Sequence, residues 1–82
     1  MKLNVKAAGL AVGIVWAFYV ILAGLLAAYM DWGTPFVELV GSCYIGYKAT
    51  LTGSLIGGAW GLVDGAIAGV ILAWVYNKFA SE

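Results

Sequence analysis

The sequence predicts an all-α membrane protein, a two-transmembrane helical hairpin with a short interfacial helix in its loop. Three observations predict it. Of 82 residues, 65% are hydrophobic and only 10% carry a charge, whereas soluble domains are about a quarter charged. The apolar residues gather in two long stretches. Between them lies a shorter segment holding the only proline, Pro35, and two of the acidic residues, Asp31 and Glu38. A chain this short buries little apolar surface in water, and this one lacks a polar exterior to wear.

The first element is the uncharged stretch from Ala7 to Met30. At ~1.5 Å per residue it covers roughly 36 Å, ample for a ~30 Å hydrocarbon core. Lys2 and Lys6 precede it, but the apolar run is too long for a signal peptide and passes Tyr29 and Met30 without a clear cleavage site. It reads as an anchor that stays. The loop runs over 31–48. Thr34-Pro35 has the form of a helix start, with threonine as N-cap and proline at the first position. Phe36, Val37, Leu39 and Val40 then lie along the membrane surface until Gly41-Ser42 ends the turns. Trp32, Phe36, Tyr44 and Tyr47 suit the headgroup zone, as Trp74 and Tyr76 do at the other end.

The second helix runs over 49–77 and is broken by one charge, Asp64, with Leu55 to Val75 in hydrocarbon. A short tail, 78–82, completes a single domain, 1–82. Lipid offers the backbone no hydrogen bonds, so both stretches must be helical. Lys2, Lys6 and Lys78 flank the outer ends, while the loop sets Lys48 against Asp31 and Glu38. The positive-inside rule therefore places both termini in the cytoplasm and the loop outside, in what reads as a bacterial inner membrane.

Composition removes several kinds of function. Four basic and four acidic residues cancel, so no basic face attracts nucleic acid. Histidine is absent, and with it the commonest metal ligand, the usual proton shuttle and the ordinary haem ligand. Cys43 has no second cysteine for a disulfide or a zinc site and reads as a small apolar filler. A catalytic site needs two or three groups converging in one pocket. Asp64 has only the hydroxyls of Thr50, Thr52 and Ser54 on its own helix, turns away. No enzyme, cofactor or metal site is expected.

The most informative pattern is a spacing. Gly53, Gly57, Gly61, Gly65 and Gly69 recur at every fourth residue, and Ala49 and Ala73 extend the register at each end. Residues four apart form one ridge on a helix. A ridge of hydrogens and methyls, a glycine zipper, becomes a groove into which another helix packs closely. The first helix offers Gly9, Gly13 and Ala17, then Gly24 and Ala28. The ladder is longer than one tilted crossing needs, so contacts between subunits are expected beyond those inside the hairpin.

Asp64 sits near the middle of the second span. An aspartate there costs on the order of 2.5–3.5 kcal/mol on insertion scales, and such groups are functional candidates by default. Trp16 falls at about the same depth and Tyr19 one turn nearer the loop. Either ring can hydrogen-bond the carboxyl and make Asp64 a structural tie. A proton-binding site and a pore-lining or substrate contact are the other readings.

The runs Gly46-Tyr47-Lys48-Ala49-Thr50, Gly53-Ser54-Leu55-Ile56-Gly57, Trp60-Gly61-Leu62-Val63-Asp64-Gly65 and Ala73-Trp74-Val75-Tyr76-Asn77 form a distinctive set. With Trp32-Gly33-Thr34 and Val37-Glu38-Leu39, the chain resembles a family of small bacterial two-helix membrane proteins labelled phage-holin-like. The resemblance implies two spans and a homo-oligomer that assembles by helix contacts and opens lesions in the inner membrane. An accessory subunit seated on a larger membrane complex, doing no chemistry, fits the same features. The chain is also similar to the proton-carrying ring subunit of rotary ATP synthases, a hairpin with a glycine-laddered helix and a mid-membrane carboxylate. It departs from that pattern in carrying Asp64 on the glycine helix and in lacking an Arg-Gln-Pro loop.

Overall fold

In the computed structural model, which describes residues 2–80, the chain forms three helices in the order α1 (Val5–Met30), α2 (Thr34–Gly41) and α3 (Leu51–Phe79). Both α1 and α3 are long and apolar enough to cross a membrane. They pair antiparallel along their lengths. Gly9 of α1 lies against Ala66 and Val70, Gly13 against Leu62 and Ala66, and Gly24 against Ser54.

Local chemistry sets the helix ends. The Asn4 side chain caps α1 by accepting from the Ala7 N–H at 3.0 Å, which starts the helix two residues earlier than the run from Ala7 suggests. Asp31 ends it in a left-handed conformation (φ 51°). The sequence reading makes Thr34 the cap of α2. The structure gives that place to Gly33, with φ 76°, and puts Thr34 and Pro35 in the first turn. The Thr34 hydroxyl turns back instead to donate to Asp31 Oδ1 at 3.2 Å. Thr50 caps α3 by accepting from the Gly53 N–H at 2.8 Å. That hydrogen bond moves the helix start from residue 49 to Leu51. At the other end α3 takes in Lys78 and Phe79. The last two residues of the expected tail, 81–82, lie outside the described residues.

The loop is where expectation and structure part. The molecule measures 47 × 18 × 18 Å, while α3 alone accounts for about 44 Å of length. No cap stands above the hairpin. Instead α2 and residues 42–50 fold back alongside it. Their contacts order by depth: Tyr44 stacks on Trp60, the Tyr47 ring covers Gly57, and Lys48 lies against Gly53. The segment past α2 thus reaches the middle of α3 and climbs back to its first turn. Val20, Ala27, Val37, Tyr44 and Tyr47 form the buried apolar cluster where the two long helices meet this returning layer.

The far end is tied by a side chain. Asn77 accepts from the Leu3 N–H at 2.7 Å and donates to the Leu3 carbonyl at 2.9 Å, and the Lys2 ammonium donates to the Asn77 carbonyl at 2.9 Å. The Lys78 ammonium lies 5.0 Å from the Trp74 ring.

Candidate functional site

Asp64 stands at the centre of α3, on the outer side of the helix pair. Its Oδ2 accepts a hydrogen bond from the Tyr44 hydroxyl, and the same hydroxyl accepts from the Trp16 indole N–H at 2.9 Å. Three segments distant in sequence therefore meet at one oxygen, that of Tyr44. The partners anticipated for Asp64 were Trp16 or Tyr19. Trp16 reaches it only through Tyr44. Tyr19 does not reach it at all: its ring is 56% exposed and packs edge-on against Phe18. The folded-back loop interposes a tyrosine that a two-helix picture leaves at the headgroups.

Tyr44 is held in place before it meets the carboxyl. Its ring lies nearly parallel to Trp60, centroids 6.0 Å apart at 14°, a contact worth ~0.5–1.5 kcal/mol beyond its buried area. Trp60 is fixed in turn by donating its indole N–H to the Ile45 carbonyl at 2.9 Å. Tyr47 lies beside Tyr44 and donates its hydroxyl to the Val20 carbonyl of α1 at 2.7 Å. Tyr44 and Tyr47 are thus buried groups of the hairpin, whereas Trp32, at 66% exposure, stays outside. Cys43, expected as an apolar filler, is exposed beside Ser42.

The glycine ladder is used within the chain. Gly61 faces Ala17, Trp16 and Val20; Gly65 faces Gly13; Gly69 faces Ala8 and Gly9. The upper rungs face the loop, Gly57 against the Tyr47 ring and Gly53 against Lys48 and Thr50. A methyl added at Gly65 would lie 2.8 Å from the Gly13 Cα, so the two backbones touch there. The rungs expected to meet a neighbouring subunit are covered by α1 and the returning loop.

What stays uncovered is Asp64 itself. Its Oδ1 takes no hydrogen bond among the described residues, and the residue is exposed. Beside it lies a recess of about 240 Å³ between α1 and α3, lined by Val12, Trp16, Asp64, Gly65 and Ala68. Among the described residues no three His, Cys, Asp or Glu side chains converge to hold a metal. The arrangement can fix a carboxyl, hold one of its oxygens and present the other outward. Comparison with protein-family models, with curated proteins and with solved structures found no match.

Proposed function

We propose that this chain is an integral membrane hairpin that works by assembling with further copies of itself, a holin-like homo-oligomer rather than a catalyst. The observation that carries the reading is the open carboxyl oxygen of Asp64 at the centre of a helix long enough to span a bilayer. In hydrocarbon that group costs on the order of 2.5–3.5 kcal/mol, and a hydrogen-bond donor supplied by a neighbouring helix offsets part of the cost. The recess beside it, between α1 and α3 and lined by Val12, Trp16, Gly65 and Ala68, leaves room at this face for a side chain of the neighbour.

The surface supports the membrane setting. Ile14, Phe18, Val63, Ile67 and Leu72 all point outward, each more than half exposed. Large apolar side chains turned outward along both long helices suit hydrocarbon better than water. Lys2, Lys6 and Lys78 at one end against Lys48 at the other support cytoplasmic termini in a bacterial inner membrane. The seam in this reading is the Asp64 face, because the ladder is already occupied.

An accessory role on a larger membrane complex is the second reading, and one observation favours it. The chain's lysines all lie near helix ends or in the loop, so a cation to pair with Asp64 has to come from a different protein. Expressing two differently tagged copies together separates the two. Under self-assembly one tag recovers the other from detergent-solubilised membranes, and Asp64→Ala reduces the recovery. If each tag recovers only itself and one unrelated protein at fixed ratio, the self-assembly reading fails and the accessory reading replaces it.

A further inference from the structure

The layer that folds back over the hairpin encloses a second feature. A cleft of about 460 Å³ lies between α2 and the returning residues 47–49, lined by Thr34, Glu38, Ser42, Lys48, Gly41 and Tyr47 among others. Gly41 and the Tyr47 carbonyl touch across it, where a methyl added at Gly41 would lie 2.8 Å away.

We infer that this cleft is an aqueous vestibule that admits water and small hydrophilic solutes from the loop side, between α2 and residues 47–49. The inference rests on the membrane reading above and adds to it. Charge is the first support: Glu38 on one wall and Lys48 on the other face the same space without an ion pair among the described residues. Neither charge is stable facing hydrocarbon unpaired.

The backbone is the second, independent support. Residues 42–50 form no helix or strand, and the amides of Lys48 and Ala49, both in the cleft wall, have no protein acceptor among the described residues. At bilayer depth such backbone persists only where protein buries it or water lines it. The other hydroxyls of the cleft are already engaged, Ser42 with the Leu39 carbonyl, Thr34 with Asp31 and Tyr47 with Val20. Water is therefore the occupant left for the amides and the two charges. The recesses elsewhere, lined by Leu26, Met30 and Trp32 or by Ala11, Val12, Val15 and Trp16, are apolar and suit lipid chains.

The test is thiol accessibility in sealed vesicles, using a charged, membrane-impermeant reagent added on the loop side. In a Cys43→Ser background, single cysteines replace Ser42 on the cleft wall, Ile45 on the outer surface of the same turn, Trp32 in the loop and Val63 on the outer face of α3. Thiolate is the reacting form and needs water to exist, so Ser42→Cys should label near the rate of Trp32→Cys and about tenfold or more faster than Ile45→Cys. The same reagent on the opposite side should leave Ser42→Cys unlabelled. Lys48→Cys, on the facing wall, repeats the measurement should Ser42→Cys disturb the turn. A cleft cysteine as slow as Ile45→Cys, while Trp32→Cys reacts, overturns the vestibule and leaves the membrane reading standing. If Val63→Cys reacts as fast as Trp32→Cys, the membrane reading falls and takes the vestibule with it.

Discussion

Replacing Tyr44 with phenylalanine removes one oxygen and two hydrogen bonds, those to Trp16 and to Asp64. It leaves the part-buried Trp16 N–H without a partner, a loss of about 1–3 kcal/mol for a desolvated polar group. Tyr44→Phe should therefore destabilise the folded hairpin more than Tyr19→Phe, whose ring is already exposed. Reversible unfolding in mixed micelles measures the difference, and equal stabilities would mean that Tyr44 does not hold the site. Trp60→Phe should weaken the same site indirectly, because it drops the hydrogen bond to the Ile45 carbonyl that positions the turn. At this scale the sequence was half legible. Asp64 stands out as the one charge in a span, and Trp16 falls at its depth. Tyr44 was hidden because nothing in a polar loop sequence says how far the loop folds back.

At the scale of elements, the ladder on α3 explains why the helices pair and where substitution hurts. An alanine methyl at Gly61 would stand 3.3 Å from Ala17 Cα, Trp16 and Val20, whereas at Gly65 it would stand 2.8 Å from the Gly13 Cα. Alanine also favours a helix by ~1 kcal/mol over glycine, against an overpacking cost of about 1–3 kcal/mol. Gly61→Ala should be close to neutral and Gly65→Ala clearly destabilising, because the first methyl asks its neighbours to give by only a few tenths of an ångström while the second meets the Gly13 Cα closer than Cβ atoms approach. Thermal unfolding in detergent ranks the pair, and the reverse order would contradict the packing described. Asn77→Ala should free the amino-terminal segment from its clamp on Leu3. Faster amide exchange in the first turn of α1, with no change at the centre, is the expected signature. The ladder's spacing was legible as a packing face. Its partner was not, since a groove of small residues is equally suited to a helix of the same chain, a loop or another subunit.

At the scale of the whole molecule, two long apolar helices and a short third one followed from composition, proline placement and the lipid argument. The position of the third did not. A surface helix and a folded-back helix share the same apolar residues, Phe36, Val37, Leu39 and Val40, and only the tertiary contacts of Val37 and Tyr47 separate them. That placement changes the functional reading, because it covers the upper ladder and the tyrosines while leaving one carboxyl oxygen open at the centre.

The proposed self-assembly through that oxygen is tested most directly by native mass spectrometry of the protein released from lipid nanodiscs, wild type beside Asp64→Ala and Gly61→Ala. The account predicts a defined oligomer for the wild type and for Gly61→Ala, and a shift toward monomer for Asp64→Ala, an association weaker by about tenfold for each ~1.4 kcal/mol lost. An oligomer that survives Asp64→Ala but breaks on Gly61→Ala would return the seam to the ladder and contradict the assembly described.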